Sequence, residues 1–183
     1  EILKSKVARV TAAQQGTTLI SEAVPVDSIE QLREAGLTID AVQGLGSRFL
    51  MFDVARYPWS KVEVRQAIMY ALDYKSMVED VLYGQASAAT SLLPDDATFP
   101  NYHRASVVYG HDPDRARSLL RGAGVTSGQL TLRTTDNDQV VAMSTVIKRN
   151  LEDLGFRVTI RTDGSDATYA AIDAGGSNYD LLL

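Results

Sequence analysis

VRQAIMYALDYKSMVEDVLYGQA, from Val64 to Ala86, and YGHDPDRARSLLRGAGV, from Tyr109 to Val125, decide how this chain folds. In the first stretch Val64, Ala67, Ile68, Ala71 and Leu72 recur at helical spacing and lay an apolar stripe about 100° wide on one face. Such a stripe needs a core to cover it. Asp73 then stands where a short acceptor side chain can cap a second helical segment carrying Met77, Val78, Val81 and Leu82, and Gly84 supplies the backbone freedom that ends it. The second stretch repeats the punctuation: Asp112 as N-cap, Pro113 at the first helical position, Ala116, Leu119, Leu120 and Ala123 on the buried face, Gly124 as the stop. These helices pack, and carry no chemistry of their own.

Working outward, the last third has the clearest periodicity. Leu130 and Leu132 alternate with polar residues; Val140, Met143, Ile147, Leu151 and Leu154 follow helical spacing to a stop at Gly155; Phe156, Val158 and Ile160 alternate again. That predicts a strand-helix-strand unit with parallel strands, a right-handed connection and the helix on one sheet face. A helix from Asp166 to Ala174 and a strand from Tyr179 to Leu183 follow. Upstream, Thr17 to Ile20 is β-prone, and Ser28 to Ala35 reads as a helix capped by Ser28 and stopped by Gly36. Leu37 to Val42 and Phe49 to Val54 read as strands, the apolar run at Phe49 to Phe52 as one covered on both faces. Leu92 to Tyr109 lacks periodicity and reads as an extended surface segment pinned by Phe99 and Tyr102. The fold class is α/β, a mixed sheet flanked by helices.

Composition narrows the function. The chain has 183 residues, enough for one domain, with 45% hydrophobic and 22% charged residues, and no run approaches the roughly 20 apolar residues that span a bilayer. A net charge of −5 disfavours nucleic acid as a partner, since backbone phosphates would be repelled. With no cysteine, disulfides and thiolate chemistry are excluded. His103 and His111 have no Glu or Cys at metal-ligand spacing, so no metal site is expected. There is no G-x-S-x-G elbow to expose a nucleophile, and Gly44-Leu45-Gly46 lacks the third glycine of a dinucleotide fingerprint. No catalytic residue and no cofactor are expected.

The wording of the two opening stretches adds what periodicity cannot. A Pro, then VRQAI-x-x-ALD, then V-x-x-G-x-A ending at Ala86, Pro94, and later Y-x-x-D-x-x-x-A-R-x-L-L-x-x-A-G resemble the extracellular solute-binding proteins of peptide- and nickel-type ABC importers. The clearest match runs from about Phe49 to Leu183. Two departures are visible: Asp53 stands where Phe-Asn is more usual, and Tyr74 where Arg is common. The resemblance implies a periplasmic-binding-protein-like (type II) lobe and, in a full-length parent, a second lobe that closes with it on a small peptide or other small polar solute. It further implies delivery to ABC permease subunits, an extracytoplasmic location in the periplasm or lipid-anchored at the outer face of the cytoplasmic membrane, and a monomer. On this reading residues 1–183 are one domain, an excised second lobe, with an opening segment and hinge-proximal strand over 1–48 and the main lobe over 49–183. A start without methionine and an end on an apolar run fit an excised piece.

In an open α/β sheet, ligands bind beyond the carboxyl ends of the strands. Here that loop is Thr134-Thr135-Asp136-Asn137-Asp138, whose hydroxyls, amide and carboxylates could grip a small polar solute. The plainer reading is that Asp136 or Asp138 caps the next helix. Arg48, just before the apolar strand, is the other candidate, because a guanidinium forks onto carboxylates; a salt-bridged or solvated Arg is the plainer reading. Arg65 is assigned a structural ion pair and Trp59 a core anchor. Two other functions stay open: a ligand-sensing domain of a transcription regulator, and a small-molecule hydrolase.

Overall fold

The computed structural model describes residues 5–17, 24–42, 44, 46–89, 91, 109–173 and 179–183. The opening part holds helix α1 (Lys6–Gln14) and a 3-10 turn, Val26–Ser28, that runs into α2 (Ile29–Glu34). Then come strand β1 (Met51–Phe52), α3 (Val62–Ala71), the short α4 (Tyr74–Ser76) continued by a π-helical turn at Met77–Val81, and α5 (Pro113–Ala123). The chain closes with β2 (Gly128–Thr135), α6 (Asp138–Glu152), β3 (Phe156–Asp163), α7 (Ser165–Asp173) and β4 (Leu181–Leu182).

The sheet order is β1-β4-β2-β3. β2 and β3 pair in parallel from Gly128↔Phe156 to Thr135↔Asp163, and β4 joins the other side of β2 in parallel at Leu132↔Leu181 and Arg133↔Leu182. Only β1 is antiparallel, through Met51↔Leu182 and Phe52↔Leu181. Alternation along the strands divides the two faces. Leu130, Leu132, Val158 and Leu181 are buried in one core with the apolar stripes of α3, α5 and α6. On the other face α7 packs against β2, over Arg133 and Thr168, both buried.

The helix punctuation forms as the residues require. Val64, Ala67, Ile68, Ala71 and Leu72 are all buried, as are Ala116, Leu120 and Ala123. Asp112 accepts the Arg115 N–H at 2.9 Å, Pro113 opens α5, and Gly124 ends it at φ 70°, in the left-handed region that glycine enters without a Cβ clash. Trp59, 2% exposed, anchors the core between the rings of Phe52 and Phe156.

Other expectations are corrected. Phe49 to Val54 is not a covered strand: pairing is confined to Met51 and Phe52, and Phe49 and Met51 are each 41% exposed, because β1 is an edge strand with one face open. Leu37 to Val42 forms no strand; Val42 is 91% exposed, and β-branched composition without a neighbouring strand does not make a ladder. Ser28 precedes α2 but makes no side-chain cap, its hydroxyl turning to Asp27 instead. The segment after Asp73 widens to i→i+5 bonding, Leu82 N–H to Met77 O at 3.1 Å, and leaves Met77, Val78, Val81 and Leu82 half-buried. Arg65 is structural, but among the described residues it donates to the carbonyls of Trp59 at 2.6 Å and Ser60 at 3.1 Å rather than to a carboxylate. The predicted strand at Thr17 to Ile20, the segment Leu92 to Tyr109 with Phe99 and Tyr102, and His103 lie wholly or mostly outside the described residues.

Candidate functional site

Because β2, β3 and β4 run parallel, their carboxyl ends meet at one sheet edge. β1 runs the other way, so the residues leading into it arrive at that same edge. Topology therefore brings Arg48 and the loop after β2 to one side of the sheet. They are two strands apart, about 10 Å across the sheet.

The five loop residues do different work. Thr134 is fully buried, and its hydroxyl donates to the Thr135 carbonyl at 3.3 Å, so it belongs to the floor of the edge. Thr135 is half-buried. Asn137, neither Asp136 nor Asp138, caps α6: its Oδ1 accepts from Gln139 N–H at 3.1 Å and Val140 N–H at 3.3 Å. The reason is position, since only the residue directly before the first helical turn can reach those N–H groups with a short side chain. Asp138 then stands in the first turn, where a carboxylate complements the helix dipole. Asp136 is exposed, and Arg48 is exposed across the edge; neither forms a hydrogen bond or ion pair with a described residue. Both remain open to a solute.

Charges beneath the edge are already matched. Arg133, 3% exposed, pairs through Nε with Asp163 Oδ2 at 3.0 Å and donates from Nη2 to the Ala167 carbonyl at 3.1 Å. Arg161, its register partner on β3, reaches the same carboxylate at 3.1 Å. This cluster fastens the end of β3 and the start of α7 to β2, and its only sequence signal is a charged residue at a strand position between buried neighbours. In the opening part of the chain, the Lys6 ammonium donates to Asp27 at 2.6 Å. That bond chiefly raises the Lys6 pKa above its ordinary value and lowers that of Asp27.

The opposite edge is built around Asp180, which sequence reasoning did not single out. Its carboxylate accepts from Thr131 N–H at 2.7 Å and from the Trp59 indole at 3.1 Å, and lies 3.5 Å from Arg56. A depression of about 380 Å³ opens there, lined by Arg56, Tyr57, Trp59, Phe156 and Asp180 among others. A smaller one of about 210 Å³ lies between the ends of α3, α5 and α6, at Asp73, His111, Arg149 and Asn150. Asp73 caps α4, and the bond from Ser76 N–H holds its carboxyl below the usual range. Tyr74, the departure noted after Asp73, is absorbed by packing: its hydroxyl donates to the Met69 carbonyl at 3.0 Å, and burial pushes its pKa up. Among the described residues no group of His, Cys, Asp and Glu could hold a metal ion, and no helix is long and apolar enough to cross a membrane.

Comparison with known proteins gives the frame for this geometry. The family model for bacterial extracellular solute-binding proteins, family 5 middle region, matches residues 1–183. Heme-binding protein A of Haemophilus influenzae is 35% identical over 86 residues, which is 47% of this chain and 15% of that protein. The probable di/tripeptide-binding protein 5 of Pseudomonas aeruginosa is 28% identical over 140 residues, 75% of this chain and 26% of that one. The periplasmic binding protein DppA of Helicobacter pylori, solved with the peptide STSA, superposes with a TM-score of 0.84 at 20% identity, over all of this chain and 35% of that one. This chain thus spans well under half the length of each, and the structural match shows the shared fold.

Proposed function

We propose that this chain, which belongs to the bacterial extracellular solute-binding proteins of family 5, forms one wall of a solute-binding cleft in an ABC importer's receptor. The observation that carries the reading is the convergence of the strand ends on one edge, where Asp136 and Arg48 face outward without a described partner. Such an edge offers a carboxylate for an amine and a guanidinium for a carboxylate. A peptide-like zwitterion carries both groups. Thr135, a half-buried residue at the end of β2, adds a neutral hydrogen-bonding group to the same edge.

The mechanism is capture by closure. A second lobe would shut on the solute by hinge motion, and the closed form would be handed to the permease subunits outside the cytoplasm. The protein acts as a monomer and transforms nothing: recognition, rather than a nucleophile and base, is what this edge is equipped for. Affinity shared between two walls is weak on one, so this chain alone should bind with a Kd of about 1 mM or weaker. Calorimetry with mixed di- to pentapeptides tests this. Micromolar binding by the chain alone would contradict a shared cleft, and turnover of ester or peptide substrates would point to an enzyme.

A further inference from the structure

The smaller depression, about 210 Å³, is framed by three bonds between elements. The Asp112 N–H donates to the Tyr70 carbonyl at 2.7 Å and ties the start of α5 to the end of α3. The Asp73 N–H donates to Asn150 Oδ1 at 3.0 Å and ties the turn after α3 to the last turns of α6. Arg117 Nη2 reaches the Asp153 carbonyl at 3.4 Å and closes the third side, between α5 and α6. Because α6 starts where β2 ends and finishes just before β3 begins, this notch lies toward the amino ends of the strands, away from the edge assigned to solute.

Asn150 is the group the packing does not explain. It is 7% exposed, and a buried amide normally finds partners for both of its ends. The bond from Asp73 fixes which end is oxygen and leaves Nδ2, which donates to no described residue, on a side chain that lines the notch. Around it donors outnumber acceptors. Asp73 is spent, its two oxygens accepting from the Ser76 N–H at 3.0 Å and the Ser76 hydroxyl at 2.8 Å. The Arg149 guanidinium and the His111 imidazole also line the notch, and neither forms a hydrogen bond or ion pair with a described residue. Among the lining residues only Asp153 brings a carboxylate not already bonded to a described residue. A cation in the last turn of α6 complements the helix dipole. That accounts for Arg149, but not for a buried amide with one end unused.

We infer that this notch is a second binding site, for a small oxyanion such as phosphate or a carboxylate, with Asn150 Nδ2 and the Arg149 guanidinium as its donors. Charged acceptors make the shorter and stronger bonds with such groups, and a guanidinium forks onto two oxygens of one anion. His111 adds a third donor from the residue before Asp112. The Asp153 carboxylate opposes the same charge and holds the affinity to a Kd of about 1 mM. The site is independent of the strand-end edge and does not rest on the reading of it.

The test is an NMR titration of the chain with inorganic phosphate, and separately with acetate, near neutral pH and at ionic strength held constant with sodium chloride. The signals read are the side-chain amide of Asn150 and the Nε–H of Arg149. Both should shift and saturate with at least one of the anions, and which anion binds more tightly separates a phosphate site from a carboxylate site. Arg149→Gln, at an exposed position, should weaken binding about twofold to fivefold. Asn150→Asp keeps an acceptor for the Asp73 N–H but turns the free donor into an acceptor, and should weaken it about tenfold or more. Signals that do not saturate with either anion at concentrations well above about 1 mM, or the same affinity in the parent and in Arg149→Gln, would overturn the proposal.

Discussion

Replacing Asp180 with alanine tests the framework that places the binding edge. The side chain is 16% exposed and makes three contacts: it accepts from Thr131 of β2 at 2.7 Å and from the indole of Trp59 at 3.1 Å, and sits 3.5 Å from Arg56. Removing it leaves two donors in a largely dry site, each costing about 1–3 kcal/mol when its acceptor is lost. The Arg56 pair is half exposed and adds less than about 1 kcal/mol. Water can enter the adjoining depression and recover part of the loss. The expected net destabilisation of Asp180→Ala is about 3 kcal/mol, or a fall in Tm of about 6–12 °C for a chain of this size. Urea unfolding followed by the fluorescence of Trp59, the single tryptophan, measures it directly. Asp180→Asn, which keeps one acceptor, should fall between, and Arg56→Gln should lose less than about 1 kcal/mol. An Asp180→Ala protein within about 0.5 kcal/mol of the parent would refute the reasoning, because surface changes away from such networks have effects of that size.

Other outcomes follow from single contacts. Asn137→Ala should cost about 1 kcal/mol by uncapping α6, whereas Asp136→Ala should leave stability within about 0.5 kcal/mol, again by urea unfolding. Trp59→Ala should cost about 3–5 kcal/mol, read by circular dichroism, through loss of a buried ring. The depressed pKa of Asp73 means that its ionised form stabilises the fold above its ordinary value of 3.8, and that this contribution is lost as pH falls through the lower folded value. The stability gap between parent and Asp73→Asn should therefore be flat above that range and shrink below it, in urea titrations across acid pH.

What was legible in the sequence follows the distance over which each signal acts. The stripe of α3, the Pro113 and Gly124 punctuation of α5 and the alternation of β2 and β3 are local, and each residue reports its own surroundings. β1 misled because Phe49 to Phe52 is apolar for two reasons: Leu50 and Phe52 pack against the core, whereas Phe49 and Met51 face outward from an edge strand. Composition cannot separate those cases. The cap of α6 was off by one residue, since three acidic or amide side chains in a row compete and only the exact register of the first turn chooses Asn137. Asp180 and the Arg133–Asp163 pair were invisible because their partners are 30 to 124 residues away in sequence or matched only by strand register. The loop after β2 and Arg48 were found from separate arguments, and only the antiparallel direction of β1 brings them to one edge.

The central claim is that solute meets this chain at the edge where β2, β3 and β4 end. Amide chemical-shift mapping of the chain with millimolar Ala-Phe-Ala tests it most directly. Shifts are expected to concentrate at Thr134 to Asp138 and around Arg48. Shifts concentrated instead around Trp59, Ser127 and Asp180 on the opposite edge would contradict it.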